Sequence, residues 1–301
     1  MDARYWLERL QTRVFPALER RGFHLTPVDY YQPIPDTRTL SDTIWQQRSD
    51  LVGVDLRESD QLDLVVGLAS EFAGECERLP RRPGERDDVF YFGNGWFDSI
   101  DAELLYLLIR HFKPKRVIEI GSGYSTLMAA EAARANSALD GSATHINAIE
   151  PYPRDFLLGL AGDRWQLTRS KVEQVPLATF AELEANDILF IDSSHVVRIG
   201  GDVVYEFLEV IPRLAPGVLV HVHDIFLPDD YPREWVLGMR RFWTEQYLLR
   251  AFLMFNCDFE VLASNSLLHT DHPDLMRTTF SSYPPGGYRP ASLWMRRVPQ
   301  I

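Results

Sequence analysis

The chain has 301 residues, of which 46% are hydrophobic and 25% charged, with a formal net charge of −12. Such a length allows one large domain with decoration or two small ones, and the composition is ordinary for a globular chain. The negative charge argues against general binding to a nucleic-acid backbone, so a small-molecule partner is expected.

The N-terminal "MDARYWLERLQTRVFPALERRGF" mixes acids and bases through its apolar positions. It lacks the basic start, apolar centre and small-residue cleavage site of a secretory signal. Residues 2–21 carry apolar side chains at helical spacing (Trp6, Leu7, Leu10, Val14, Phe15, Leu18), closed by Gly22. The proline- and tyrosine-rich stretch from 23 to 40 reads as extended, with "YYQPIPD" (30–36) as a candidate lid. Helical spacing returns over 60–79, and "PRRPGERDD" then breaks the pattern. That break divides an N-terminal cap (1–89) from a main domain (90–301).

From residue 100 short apolar strands alternate with helices. The expected strands are "RVIEI", "HINAIE", "WQLTRS", "DILFID" and "GVLVHVHD"; the expected helices are "DAELLYLLIRHF", "STLMAAEAARA", "RDFLLGLA", "LATFAELE" and "VVYEFLEVIPRL". This alternation predicts a parallel sheet covered on both faces, an α/β fold. A long helix is expected over 233–255, then "DFEVLAS" and "ASLWMRRV" as an antiparallel pair at a sheet edge. No run approaches 18 apolar residues, so no membrane span is expected. Two cysteines in unrelated contexts, Cys76 and Cys257, fit a reducing cytoplasm. A homo-oligomer stays open.

In such sheets ligands bind beyond the carboxyl ends of the strands. Four clusters lie at such ends. In "VIEIGSGYST", Gly121 and Gly123 flank Ser122 and allow a tight turn before a helix whose free N–H groups face outward. Thr126 stands where a dinucleotide fingerprint has its third glycine. Glu119 is an acid inside an apolar strand, which requires a partner or a ligand. Glu150 ends the second strand, where an acid can accept both hydroxyls of a ribose or simply face solvent. "LFIDSSHV" and "VHVHDIF" supply Asp192, His195, His221, His223 and Asp224.

These motifs resemble the class I S-adenosylmethionine-dependent methyltransferases, over roughly residues 90–298. "EIGSGYST" is similar to that superfamily's glycine-rich motif, and the final antiparallel pair fits its Rossmann-like, seven-stranded, mostly parallel sheet. "FIDSSHV" with the later "HVHDIF" is similar to a bacterial branch that includes metal-dependent macrolide sugar O-methyltransferases. The resemblance implies that Glu119, Gly121, Ser122 and Gly123 hold the methionine part of S-adenosylmethionine and Glu150 its ribose, with Asp192 nearby. Ser170, Lys171 and Val172 would lie near the adenine. It further implies Asp192 and Asp224 as ligands of a divalent cation and His195 as general base. Ser193 and Ser194 stand where relatives often carry another acid, and His223 where some carry an acid. His223 therefore joins the candidate ligand set, and the cation expected is Mg²⁺ or Zn²⁺.

Methyl transfer to a hydroxyl needs its proton removed, and a histidine titrating near neutrality suits that role. The expected activity is O-methylation of a small molecule, with His195 and Asp192 as the catalytic pair. N-methylation without metal is the enzymatic alternative, and a cofactor-binding protein without turnover the other. Asp192 as a helix cap is the structural alternative to a metal ligand. Tyr231, Trp235 and Trp96 are candidate substrate contacts, and Asp202 an orienting or structural acid.

Overall fold

The computed structural model describes residues 14–85, 88–158, 165–283 and 289–298. Packing divides the chain into two compact units, one of Met1–Gln47 with Pro232–Phe242, the other of Arg48–Tyr231 with Trp243–Ile301. The expected cap of 1–89 is thus shared between them.

In the smaller unit, the expected helix of 2–21 lies mainly outside the described residues, and 14–19 are helical. Residues 23–40 form neither helix nor strand, in keeping with their prolines. A helical turn spans Thr43–Gln46, and the Arg233 guanidinium lies over the Trp45 ring at 5.6 Å. Trp235 belongs to this unit, with the Arg241 guanidinium 4.9 Å from its ring.

The larger unit is built on seven strands: β1 (Arg116–Ile120), β2 (His145–Ile149), β3 (Gln166–Thr168), β4 (Ile188–Ile191), β5 (Leu219–Val222), β6 (Phe259–Ser264) and β7 (Leu293–Arg297). Their order is β3-β2-β1-β4-β5-β7-β6, with β7 antiparallel to both β5 and β6. The remaining pairs are parallel. This is the expected Rossmann-like α/β sheet, and the order of strand addition reverses between β1 and β4.

Strand alternation sends side chains to two cores. Val117, Ile188, Phe190, Leu219 and Trp294 join one with the helices Glu58–Glu71, Ser99–Phe112 and Tyr124–Asp140. Ile118, Ile120, Leu189, Ile191, Val220 and Val222 join the other with Val203, Phe207, Leu249 and Leu253. Burying both strand faces explains the continuous apolar runs that marked the strands in the sequence.

The helices differ more. The expected helix of 60–79 is Glu58–Glu71, with a positive-φ Gly74 and a short turn at Cys76–Arg78 beyond it. Instead of one helix over 233–255 there are two pieces, Glu234–Gly238 and Glu245–Leu253. Arg240, at φ 58, takes a left-handed conformation that no continuous helix contains. The run 203–214 tightens and widens within one stretch: α over Asp202–Tyr205, a π-turn over Glu206–Val210 and a 3₁₀ turn over Ile211–Arg213, which holds Pro212. Helices at Asn265–Asp271 and Pro273–Thr279 were not expected. Among the described residues no helix is long and apolar enough to cross a membrane.

Candidate active site

The carboxyl edge of the sheet gathers the chemistry. After β1, Gly121 turns the chain at φ +80 and passes so close to the next strand end that a Cβ would lie 1.9 Å from the Asp192 carbonyl oxygen. Only glycine fits there. Gly123 is different: a Cβ there would meet nothing within 4 Å. Its N–H donates to Thr126 Oγ1 at 3.1 Å, at the start of the helix Tyr124–Asp140. Gly121 therefore serves chain packing, and Gly123 leaves an open face.

Glu119 is 2% exposed, and its two oxygens accept from Ser125 Oγ at 2.6 Å and Thr126 Oγ1 at 2.5 Å. Burial pushes its carboxyl up to about 8, against the pull of those two hydroxyls. It braces the turn from beneath. Glu150 accepts from Ser122 N at 3.2 Å and Tyr152 N at 2.7 Å, which fixes its carboxylate beside the turn. Ser122 Oγ is buried without a hydrogen-bond partner. A cavity of about 260 Å³ opens beside Gly121 and Glu150, lined also by Lys171, Val172, Asp192 and Ser194. Ser170, next to Lys171, bonds to its own loop.

The second half of the edge follows β4 and β5. Asp192 N donates to Ile120 O at 2.8 Å, and His223 N to Ile191 O at 3.0 Å, so the sheet itself carries both residues in. No helix begins at Asp192. The next one starts at Asp202 with Gly201 as its cap, which removes the capping role. Asp202 instead accepts from Ser194 N at 3.0 Å and Ser194 Oγ at 2.7 Å, while Ser193 Oγ donates to Glu206 at 3.1 Å. The two serines thus tie the loop down.

His195 is buried at the centre. Its Nε2 lies 3.3 Å from Asp192 Oδ1 and 3.4 Å from Asp224 Oδ2, and its Nδ1 2.8 Å from Glu245 Oε2. Trp243 lies against its ring at 4.4 Å. Burial opposes the charged imidazole, but the surrounding carboxylates outweigh burial and raise its pKa well above the usual value. Asp192 shows the converse: burial is overcome by His223 and His195, which hold its carboxyl at about 2. Both His195 and Asp224 have left-handed backbones, at φ 60 and φ 56. Such strain in residues other than glycine collects at functional sites, at about 1–3 kcal/mol each.

Asp192, His223 and Asp224 each offer a ligand atom within 4.8 Å of the others. His221 points the same way as His223, as alternation requires, but its ring stacks on Phe190 at 3.8 Å and it stays outside that trio. Two oxygen donors and one imidazole form a reasonable donor set for a small divalent cation.

Sequence reasoning passed over Glu245 and Glu206. Both are fully buried, and each keeps one oxygen without a hydrogen-bond partner. Burial, with Glu245 and Asp202 nearby, raises the Glu206 pKa well above the usual range. A signal existed for Glu206: it lies on the apolar stripe of Val203, Phe207 and Val210, where an acid must have a purpose. Glu245 gave none, fifty positions from the histidine it holds.

The candidate substrate contacts separate. Tyr231 is 1% exposed, its hydroxyl accepting from Gln246 N at 3.0 Å, so it packs inside the larger unit. Trp96 is 64% exposed, with the Arg154 guanidinium 4.0 Å over its ring. Its neighbour Phe97 is buried and meets the His223 ring at 5.3 Å.

Residues 118–225 match a family model described as a methyltransferase domain, a span from β1 to just past Asp224. With the strand order above, the fold is the Rossmann-like fold of S-adenosylmethionine-binding methyltransferases. The chain is 32% identical over 170 residues to an uncharacterized protein of Archaeoglobus fulgidus, covering 54% of this chain and 75% of that one. The chain belongs to the family of that archaeal protein. Among solved structures, cmcI with SAH is similar at TM-score 0.36 and 15% identity, covering 75% of this chain and 92% of its own. A putative protein-L-isoaspartate O-methyltransferase of Plasmodium falciparum, in complex with S-adenosyl-L-homocysteine, is similar at TM-score 0.27 and 12% identity, covering 56% and 79%.

Proposed function

We propose that the protein transfers a methyl group from S-adenosylmethionine to a hydroxyl of a small molecule. The observation that carries this reading is the contact between Gly121 and the Asp192 carbonyl, which makes the glycine-rich turn and the acid–histidine cluster immediate neighbours. A cofactor at the turn and an acceptor at the cluster would meet at that seam.

The residues present fit the cofactor. Gly123 leaves room for close approach, Ser122 Oγ lacks a partner, and Glu150 is held with lone pairs to spare for two ribose hydroxyls. Lys171 and Val172 line the same cavity at the adenine end. S-adenosylmethionine, when bound, supplies an electrophilic methyl group on a sulfonium. The chain's part is to orient the acceptor and receive its proton.

Once the charge of Asp192 and Asp224 is offset, His195 is neutral and receives that proton at Nε2, with Glu245 holding the ring through Nδ1. Asp192 and Asp224 flank Nε2 and fix where an acceptor hydroxyl can approach. A divalent cation suits Asp192, Asp224 and His223, the carboxylates matching Mg²⁺ and the imidazole matching Zn²⁺. It would lower the acceptor's pKa and offset the negative charge around His195.

Calorimetry tests the cofactor half. S-adenosylhomocysteine should bind and NAD should not; NAD binding without S-adenosylhomocysteine binding would overturn the reading. Removal of divalent cations with a chelator should lower turnover, and unchanged turnover would remove the cation.

A further inference from the structure

The loop that carries His195 is gripped by three consecutive residues at the start of the helix Glu245–Leu253. The Trp243 ring lies 4.4 Å from the imidazole, and Glu245 Oε2 lies 2.8 Å from its Nδ1. The His195 carbonyl oxygen accepts from Thr244 N at 2.9 Å and Glu245 N at 3.1 Å. Two residues further on, Val197 N donates to Thr244 Oγ1 at 2.8 Å. Loop and helix thus exchange hydrogen bonds in both directions.

This is not the ordinary use of a threonine in that place. Thr244 is the N-cap of its helix, where a hydroxyl usually accepts from the second or third N–H of the helix it precedes. Here it accepts from neither. The first N–H groups are taken by other oxygens: Glu245 N by the His195 carbonyl, Gln246 N by the Tyr231 hydroxyl at 3.0 Å, Tyr247 N by the Thr244 carbonyl at 3.2 Å. The Thr244 hydroxyl is therefore released from capping and turns to the loop.

The loop needs such a hold. His195, at φ 60, is left-handed, a conformation that a residue with a Cβ keeps only where its surroundings fix it. Before the histidine, Asp192 N is tied to Ile120 O and Ser194 N to Asp202. After it, the chain is tied only by the bonds to Thr244 and Glu245 described above. We propose that Thr244 is a positioning residue: by holding Val197, its hydroxyl keeps His195 left-handed and its Nε2 between Asp192 and Asp224. The inference rests on the reading of His195 as the group that receives the acceptor's proton. Val197 is 40% exposed, so its N–H can turn to water when the hydroxyl is removed, and folding loses little. The loop end is then free, and the His195 backbone can relax toward an unstrained region and carry Nε2 out of line. A reacting group misplaced by about 1 Å can cost about 10²-fold in rate.

The test follows the full chain as it forms S-adenosylhomocysteine over a panel of hydroxylated acceptors. Thr244→Val keeps the side-chain shape and removes the hydroxyl. Its kcat should fall about tenfold, with acceptor KM and S-adenosylhomocysteine affinity within about twofold of the wild type. Thr244→Ser should restore kcat. A second measurement needs no turnover. The Trp243 indole shifts the His195 ring protons through its ring current, and these signals, assigned with His195→Gln, should move in Thr244→Val and return in Thr244→Ser. Unchanged kcat, unmoved His195 signals or a Thr244→Ser variant that restores neither overturns this inference alone. A wild type that methylates no acceptor overturns the functional reading, and the His195 signals still decide where Thr244 holds the ring. Should Thr244→Val fail to fold, hydrogen exchange in the wild type decides: a protected Val197 amide supports the hold, and one exchanging as fast as a free amide overturns it.

Discussion

The turn after β1 and the cluster after β4 and β5 share one sheet edge, yet they are built from different materials. The turn is mostly backbone: two glycines, N–H groups tied to Ile149, Glu150 and Thr126, and acids whose oxygens are already engaged. It comes from contiguous residues and leaves a face open. The cluster is mostly buried side-chain charge, with His195 held among Asp192, Asp224 and Glu245 and with further acids behind it. Its parts come from distant elements, and two of its backbones are strained. A turn of the first kind binds by close backbone approach; a cluster of the second kind moves protons or holds a cation. Nature of construction therefore separates binding from chemistry, and substitutions can separate them too.

The largest expected effect comes from removing the cluster's centre. His195→Ala should lower conversion of S-adenosylmethionine to S-adenosylhomocysteine, followed over a panel of hydroxylated acceptors, by about 10²–10⁴-fold. Calorimetric affinity for S-adenosylhomocysteine should hardly change. Normal turnover in this variant would end the proposed division of labour.

Gly121→Ala crosses the border between the two regions. The added Cβ meets the Asp192 carbonyl in a left-handed conformation, so stability should fall by about 3 kcal/mol, read as a lower urea midpoint. An unshifted midpoint would show that the seam is looser than described.

Glu119→Gln sharpens the turn's side. Because burial raises the Glu119 carboxyl from 4.5 to about 8, the folded protein holds that proton more tightly than the unfolded chain. This contribution to stability is fully present below pH 4.5 and is lost as pH rises through about 8. Between pH 5 and 8.5 the wild type should lose about 4 kcal/mol that the variant keeps. Parallel stability curves for the two proteins would refute the buried neutral acid.

Gly123→Ala is the mildest. Its backbone is extended and its surroundings are open, so stability should be unchanged while S-adenosylhomocysteine binding weakens about tenfold, or ~1.4 kcal/mol. Equal affinity would mean that the open face lies away from the cofactor.

Some of this architecture was legible in one dimension. Strands buried on both faces advertise themselves as apolar runs, and their carboxyl ends carry exposed chemistry, so Gly121, Gly123, Glu150, Asp192, His195 and Asp224 could all be singled out. Helices fared worse. The break at Arg240 and the π-turn at Glu206–Val210 are tertiary accommodations that helical periodicity does not encode. Tyr231 looked like a loop aromatic and is a core residue, because the loop folds back under Gln246.

The chain order alone determined the sheet, its carboxyl edge and the residues that each strand delivers there, since period-two burial and glycine turns are local properties. Only the tertiary structure decided which distant groups complete them. Glu245 reaches His195 from a later helix, and Thr244 holds Val197 from the start of the same helix. Those partners are chosen by burial, because a charge or imidazole taken out of water must find whatever polar group the packing brings to it.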